Sequence, residues 1–278
     1  MKQLLYYLLV FLLSYSIKGQ TYRAMTYNIR YDNVNDGENQ WSKRKEFLSN
    51  QISFYQPDIL GIQEGLHHQV VYLNNVLKNY SYIGVGRDDG KQKGEYSAIF
   101  YNNTKFKIVK EGTFWLSKTP NIISVGWDAS MERICTFGLF ENLQTKQQFW
   151  VFNTHFDHIG NEARFKSAEL ILQKIQEFNI QKLPVLLMGD FNLKPTTKPI
   201  ELISTVLNDT KKASILNPFG PVGTFNGFKF EKPVTDRIDY IFSSKNNIKV
   251  LKFAVLSDSN NCKYPSDHFP VFIEFETE

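Results

Sequence analysis

Residues 184–192 read PVLLMGDFN, and this stretch indicates the fold more clearly than any other part of the chain. The apolar residues 185–188 suit a strand that is buried on both faces. The strand ends in Gly189, followed by a carboxylate at Asp190 and an amide at Asn192. These two side chains lie two residues apart, and therefore on one side of an extended chain. Such residues often only cap backbone groups, so the motif predicts a buried strand that ends in a polar turn or in a functional site.

Six further apolar runs end in, or contain, polar side chains that a buried strand would not need for stability. They are AMTYNIRY (24–31) with Asn28, DILGIQE (58–64) with Glu64, YSAIFYN (96–102), FWVFNTHFDH (149–158) with His155, RIDYIF (237–242) with Asp239, and SDHFPVFIEF (266–275) with Asp267 and His268. Buried carboxylates and imidazoles are costly unless they converge on something charged. Acids grouped with histidines and amides are what a divalent cation and a phosphate require. The pattern is typical of a metal-dependent phosphoesterase.

Helical patterns alternate with these strand-like runs. Apolar residues recur at helical spacing in 43–56, 66–77 and 162–178, and a shorter helix is expected after Pro199. Short polar loops predict two antiparallel hairpins, 82–87 with 96–101 and 137–141 with 148–152. Residues 216–228 are rich in Gly, Pro and Phe, which predicts an irregular surface loop. The predicted class is α/β, with mixed sheets packed face to face and helices outside.

The N-terminal segment predicts export. The chain has 278 residues, and its first nineteen read as Lys2, then the apolar run 4–17, then Lys18 and Gly19. This run is shorter than the ~20 residues that a membrane-spanning helix needs. We therefore predict a signal peptide over 1–19, one catalytic domain over 20–278, and a periplasmic or secreted protein. An uncleaved anchor is the alternative.

Charge and cysteine content argue against two other classes. Leaving out 1–19 gives 30 basic against 28 acidic residues. A dedicated nucleic-acid binder usually has a stronger basic footprint. The two cysteines, Cys135 and Cys262, form no CxxC motif, which argues against a thiolate zinc site. In an exported protein they form one disulfide or remain two free thiols, and the sequence leaves both open.

His155 lies in the polar segment 153–158 that ends the apolar run beginning at residue 149, and a lone histidine there is more often structural than catalytic. Strand alternation would place His155 and Asp157 on one face and His158 on the other. We favour His155 as a phosphate donor or acid–base group, and leave the roles of Asp157 and His158 open. Glu64 is the strongest metal-ligand candidate, because a hard cation prefers oxygen.

Taken together, the order and spacing of these residues resemble the endonuclease/exonuclease/phosphatase superfamily, which is deoxyribonuclease I-like. The resemblance covers about residues 22–276. The organisation of the chain is similar to that of a secreted bacterial branch of this superfamily. It rests on the following residues: Asn28, Glu64, His155, Asp190, Asn192, Asp239, Asp267 and His268. It implies a four-layer α/β/β/α sandwich of two mixed sheets, with a rim site that uses Mg²⁺ or Mn²⁺ to hydrolyse a phosphate ester by direct attack of water.

The resemblance also implies a role for each residue. Metal binding is implied for Glu64, Asn28 and Asp267. Asp190 and Asn192 would position or deprotonate the attacking water and hold the phosphate. Phosphoryl contacts are implied for His155 and for His268, with His268 oriented by Asp239. Either Asp190 or the His268–Asp239 pair serves as general base, and Arg133 and Arg164 are candidate additional donors.

One residue departs from the family pattern. Many nucleases of the family have an acid two residues after the first Asn, where this chain has Arg30. This removes a possible metal ligand and argues against two-metal chemistry, unless Asp32, Asp36 or Glu38 compensates.

We therefore predict a metal-dependent phosphodiesterase or phosphatase that hydrolyses a phosphodiester or another phosphate ester. Its substrate stays open at this level, as a nucleic acid, a lipid head group or a phosphosugar. A nuclease needs a basic groove with interleaved aromatic residues, whereas a lipid esterase needs an exposed apolar loop, for which Phe225, Phe228 and Phe230 are candidates. We expect a monomer without a stable protein partner. The rival hypothesis is a binding or adhesion module on the same fold that has lost catalysis. The retained acids and histidines argue against it, because drift would remove such costly groups first.

Overall fold

Two six-stranded mixed sheets form the centre of the protein. The computed structural model describes residues 20–277, so the predicted signal peptide over 1–19 lies outside the described residues. In the first sheet the strand order is β11-β12-β1-β2-β4-β3. Its strands are β1 (Thr21–Asn28), β2 (Ile59–Gln63), β3 (Tyr80–Ile83), β4 (Ile99–Asn102), β11 (Ile248–Val255) and β12 (Val271–Thr277). Only β1 and β2 pair in parallel among these strands.

The second sheet has the same construction, with the order β5-β6-β7-β8-β10-β9. Its strands are β5 (Phe106–Trp115), β6 (Ile134–Asn142), β7 (Gln148–His155), β8 (Val185–Asp190), β9 (Leu207–Asp209) and β10 (Asp239–Ser244). Here β7 and β8 form the parallel pair. Each sheet therefore places the carboxyl ends of two central parallel strands at one edge.

Within residues 20–277, five α-helices flank the sheets. They are α1 (Trp41–Tyr55), α2 (His67–Val76), α3 (Asn161–Phe178), α4 (Lys198–Val206) and the single turn α5 (Thr210–Ala213). A 3₁₀ helix, Val34–Asn39, lies between β1 and α1. None of the helices described is both long and apolar enough to span a bilayer.

Three buried clusters define four layers. Ala24 and Ile59 of the first sheet pack against Val151 and Leu186 of the second. Side chains of α1 and α2 cover the outer face of the first sheet, and α3 and α4 cover the second. Burial of apolar surface stabilises each contact between layers by about 25 cal/mol per Å². The predicted α/β/β/α sandwich is confirmed.

The predicted hairpins are present, although the first has shorter strands than expected. β3 and β4 pair antiparallel, and Gly86 bridges Tyr96 beyond their ends. The longer connection turns back toward the rim of the sheet and carries Arg87 and Glu95. In the predicted loop 216–228, no helix or strand forms. The C-terminal part of this loop does not lie at the surface, however, because Thr224 and Asn226 are buried.

Candidate active site

The parallel strands bring the predicted residues to a single rim. In the ladders, His155 lies opposite Asp190 and Asp190 lies opposite Asp239. Asn28 ends β1, and Glu64 follows β2 in the left-handed conformation, with φ 65°. The carboxyl ends of neighbouring parallel strands meet at one edge, so residues distant in sequence become neighbours.

A pocket of about 510 Å³ opens at this rim. Six of the eight predicted residues line it: Glu64, His155, Asp190, Asn192, Asp267 and His268. The other two, Asn28 and Asp239, are buried just beneath and bond to lining residues. The structure thus brings together all eight residues on which the family resemblance rests.

Asn28 holds two of the carboxylates in place. Its Nδ2 donates to Glu64 Oε1 and to Asp190 Oδ2, at 2.9 Å each. Its Oδ1 accepts the backbone N–H of Arg30 at 3.0 Å. The amide therefore fixes the distance between Glu64 and Asp190. Metal binding by Asn28 stays a prediction. The second lone pair of its Oδ1 is the one available to coordinate a metal ion.

His268 and Asp239 form the predicted pair. His268 Nδ1 lies 2.9 Å from Asp239 Oδ2, and His268 Nε2 lies 3.8 Å from Asp190 Oδ2. Burial alone would lower the pKa of His268, but the Asp239 and Asp190 carboxylates raise it well above its ordinary value. Asp239 itself is held by its backbone N–H, which donates to Thr224 Oγ1. The two carboxylates therefore favour the protonated, positively charged form of His268, which faces the pocket.

His155 has the opposite electrostatic character. Its Nε2 lies 3.1 Å from Asn192 Nδ2 and 3.5 Å from Asp190 Oδ2. Burial, and then the positive charge of Arg133 and Arg87, lower its pKa well below the ordinary value. At neutral pH this histidine is uncharged. The two histidines on either side of Asp190 thus differ in charge. His268 can act as an acid, whereas His155 is a neutral polar group.

For two of the carboxylates, burial outweighs the effect of the nearby positive charges on the pKa. Burial, and then repulsion from Asp239, raise the pKa of Asp190 to about 7. Burial likewise raises the pKa of Asp267. Asp239 Oδ1 is buried without a hydrogen-bond partner among the described residues. Ligand atoms of Glu64, His155 and Asp190 lie within 4.8 Å of one another. This donor set fits a hard divalent cation, which prefers several oxygen ligands.

Five lining residues were not singled out by the sequence: Tyr31, Arg87, Glu95, Met131 and Ile238. Arg87 forms a bidentate pair with Glu95, at 2.7 and 3.0 Å, and Glu95 Oε2 lies 3.8 Å from His155 Nδ1. Burial raises the pKa of Glu95 to about 7. Tyr31 and Met131 complete the wall. No signal marked them, because Arg87 and Glu95 lie in a polar loop that looks like an ordinary hairpin connection.

Strand alternation gave the wrong faces for Asp157 and His158. β7 ends at His155, and the chain then turns, so His158 lines the pocket. Asp157 is buried outside it and accepts the backbone N–H groups of Ile159 and Gly160. Burial would raise the pKa of Asp157, but these hydrogen bonds lower it below its ordinary range. Asp157 therefore stabilises the turn.

Of the two arginines that are candidate phosphate donors, only one lines the pocket. Arg133 lines the pocket, with Nη2 3.1 Å from His158 Nδ1, and its buried Nη1 has no hydrogen-bond partner among residues 20–277. Arg164 does not line the pocket. Its Nη1 donates to the carbonyl of His158 at 3.2 Å, so it supports the turn rather than a phosphate.

None of the three acids proposed to compensate for Arg30 lines the pocket. Asp36 bonds the Arg30 guanidinium, Asp32 lies 3.0 Å from His68 Nε2, and Glu38 accepts from Lys43 at 2.7 Å. The two cysteines are free, one buried and one exposed.

The four-layer α/β fold, with an acid and histidine cluster at its rim, is the arrangement of a family of phosphoesterases. A family model matches residues 25–268, and the chain belongs to the Endonuclease/Exonuclease/phosphatase family. Members of this family are hydrolases that act on phosphate esters and generally depend on a divalent metal.

Three similar proteins illustrate the range of the family. A family member from Bacteroides thetaiotaomicron superposes with a TM-score of 0.89 and 38% identity, over 94% of this chain and 99% of that chain. A mannosyl-6-phosphatase from the same organism gives a TM-score of 0.87 and 40% identity, over 91% and 99%. Nocturnin from Rattus norvegicus is 24% identical over 91% of this chain and 65% of its own length.

Proposed function

We propose that the protein is a divalent-metal-dependent phosphatase that hydrolyses the phosphate monoester of a small hydroxylated compound such as a sugar. The observation that carries this proposal is the pocket itself. It joins an acid cluster suited to one cation with a wall that contains Arg30, Arg87 and Arg133. A terminal phosphate monoester carries up to two negative charges, whereas a diester carries one, and guanidinium groups are the preferred partners of phosphate.

The size of the pocket also supports a small substrate. Its volume of about 510 Å³ lies within the usual range for small-molecule sites. The similarity to a mannosyl-6-phosphatase, at 40% identity, supports a phosphosugar within this class.

The residues of the chain would divide the work as follows. A bound Mg²⁺ or Mn²⁺, held by Glu64 and Asp267, would neutralise charge that develops on the phosphate. Asp190 accepts a proton from the attacking water, since a pKa of about 7 suits a base at neutral pH. Asn192 orients the water or a phosphoryl oxygen, because its backbone N–H is anchored on Asp190 Oδ1 at 2.9 Å.

The two histidines act on the phosphate in different ways. The charged His268, fixed by Asp239, donates to a phosphoryl oxygen and stabilises negative charge in the transition state. His155 is neutral, and its Nε2 accepts a hydrogen bond from Asn192 Nδ2, so it adds no charge and acts on the phosphate through Asn192. Asp239 makes no proton transfer in this scheme, and it is a positioning residue for His268.

A nuclease is the second candidate. Curated relatives include Nocturnin and a 3′-5′ exoribonuclease subunit, Ccr4, from Kluyveromyces lactis that is 22% identical over 85% of this chain. The chain spans only 65% and 37% of their lengths. The near balance of acidic and basic residues gives no strong footprint for a polyanion.

A substrate panel decides between these functions. Phosphate release from hexose 6-phosphates is compared with hydrolysis of bis-p-nitrophenyl phosphate and with degradation of RNA and DNA, each with Mg²⁺ and with chelator. The matched control is Glu64→Gln. We expect a hexose phosphate to be preferred, with kcat/KM at least about tenfold above the diester, a difference of about 1.4 kcal/mol. A preference for RNA or DNA would reject the phosphatase hypothesis in favour of a nuclease. Inactivity on the whole panel would favour a binding module that has lost catalysis.

Export is also a proposal, and it is supported by the apolar run 4–17 between Lys2 and Lys18. N-terminal sequencing of the protein from cell fractions tests it. A mature N-terminus near residue 20 in the periplasm or medium is expected. Cytoplasmic protein that retains residues 1–19 would contradict it.

A further inference from the structure

Arg30 places a positive charge inside the acid cluster. Its Nη1 lies 4.0 Å from Glu64 Oε2, and its Nε lies 3.8 Å from Asp267 Oδ2. Its Nε and Nη2 also donate to the two oxygens of Asp36, at 3.0 Å each. The guanidinium therefore lies among three carboxylates. These neighbours raise its pKa, and an arginine remains charged in any case.

The backbone fixes this position from several directions. Arg30 has φ 56°, which is unusual for a residue with a side chain. Its N–H donates to Asn28, and its carbonyl accepts from Arg44 Nη2 at 2.6 Å and Gln69 Nε2 at 3.0 Å. Strain of this kind persists only where the surroundings over-determine it. The side chain is further held by the ring of Tyr31, 4.5 Å from the guanidinium carbon.

We propose that the Arg30 guanidinium is a built-in second cation of this site, which limits the chain to one bound divalent metal ion. A metal ion on the Arg30 side of Glu64 and Asp267 would meet a fixed like charge within about 4 Å, which opposes binding strongly in a partly buried site. The other side of Glu64 and Asp267, which faces Asp190, stays available for one ion. This inference rests on the proposed function, because it concerns the same metal site.

Arg30 also has a donor to spare. The bidentate pair with Asp36 uses Nε and Nη2, so the hydrogens of Nη1 are free of that pair, and the residue lines the pocket. A phosphoryl oxygen that enters the pocket would receive a hydrogen bond where a second metal ion would otherwise bind it. Asp36 is then a positioning residue for the guanidinium.

The wild-type protein, stripped of metal and titrated with Mn²⁺ in a calorimeter, gives the first test. We expect one Mn²⁺ per chain and an electron paramagnetic resonance spectrum of an isolated ion. Two ions per chain with a spin-coupled spectrum would overturn the inference and leave the proposed function intact. No binding of Mn²⁺ at all would overturn both.

Arg30→Asp gives the second test, because aspartate tolerates a positive φ better than most residues. We expect this variant to bind a second Mn²⁺ at least about tenfold more tightly than wild type, since a repelling charge is replaced by a ligand. Arg23→Asp is the matched control. It lies on β1, the strand that leads to Arg30, pairs with Glu274 at 3.7 Å outside the pocket, and should keep one ion. A single ion in a folded Arg30→Asp variant would contradict the inference. If that variant does not fold, the wild-type stoichiometry and spectrum still decide.

Arg30→Met tests the phosphate contact separately. Inorganic phosphate is used as a competitive inhibitor, and its inhibition constant should rise at least about tenfold, the scale of one charge-assisted hydrogen bond. Arg30→Lys should restore part of the affinity. An inhibition constant unchanged from wild type in Arg30→Met would contradict the contact.

Discussion

The charge of Asp190 should destabilise the metal-free protein in a pH-dependent way. Its pKa is raised from 3.8 to about 7 in the folded state. The folded chain therefore holds this proton more tightly than the unfolded chain, so stability is lost as pH rises from about 4 through 7. In Asp190→Asn this loss is absent. Each tenfold change in proton affinity is worth about 1.4 kcal/mol, which gives about 4 kcal/mol as an upper limit at pH 8.

The variant carries costs that do not depend on pH. Both Asp190 oxygens accept hydrogen bonds, one from Asn28 Nδ2 and one from the Asn192 backbone, and an asparagine amide replaces one acceptor by a donor. Such a cost, about 1–3 kcal/mol, is present at every pH. It cancels when the effect of the substitution is compared between two pH values. The variant also attracts the positively charged His268 less strongly, which offsets part of the stability gained at high pH. We therefore expect the effect of the substitution on the free energy of unfolding to differ by about 2–4 kcal/mol between the two pH values.

The assay is urea unfolding of wild type and Asp190→Asn in EDTA at pH 4.5 and pH 8. The free-energy difference between variant and wild type should shift in favour of the variant by about 2–4 kcal/mol at the higher pH. Asn192→Asp is a control in the opposite direction, since it adds a carboxylate beside Asp190 and should steepen the loss. A difference that is the same at both pH values would refute the idea that uncompensated charge on Asp190 opposes folding.

The remaining predictions concern turnover and metal. His268→Ala and His155→Ala should each lower kcat about 10²-fold or more with little change in Tm, measured by steady-state kinetics beside calorimetry; unfolded variants with normal specific activity would show a structural role. Asp239→Asn should lower kcat while KM changes little, because it leaves His268 in place but reduces its charge, and the pH profile of kcat should shift to lower pH; an unchanged profile would contradict the pairing. Arg133→Met should raise KM for a sugar phosphate about tenfold with a smaller change in kcat; an equal loss in kcat alone would place Arg133 in the transition state instead. Mg²⁺ should raise the Tm of wild type but not of Glu64→Gln, measured by thermal unfolding; an equal rise in both would remove Glu64 from the metal site.

Sequence periodicity was a reliable guide wherever one face of an element is buried. The apolar runs ending at Asn28, His155 and Asp190 became central strands, and their ends met at one rim because parallel neighbours share an orientation. The edge strands β5 and β11 were not predicted. Each carries exposed lysines, Lys107 and Lys110 or Lys249 and Lys252, that mask the alternation typical of a buried strand.

Residues beyond the strand ends were harder to place. Alternation fails after His155, where the chain turns, and so Asp157 and His158 exchanged their expected positions. Arg87 and Glu95 enter the pocket only because the connection between β3 and β4 folds back on itself through the Gly86–Tyr96 bridge. Such tertiary contacts leave no periodic pattern in the sequence.

Metal-dependent hydrolysis of a phosphate monoester is the activity proposed for the Glu64–Asp190–His268 site. Its most direct test measures phosphate release from a hexose 6-phosphate by chelator-treated protein, before and after Mg²⁺ is restored, with Glu64→Gln treated in the same way. We predict that the stripped wild type is inactive, that Mg²⁺ restores turnover, and that the variant stays at least about 10²-fold slower at the same Mg²⁺ concentration. Full activity of the stripped wild type, or equal activity of the variant, would contradict the account.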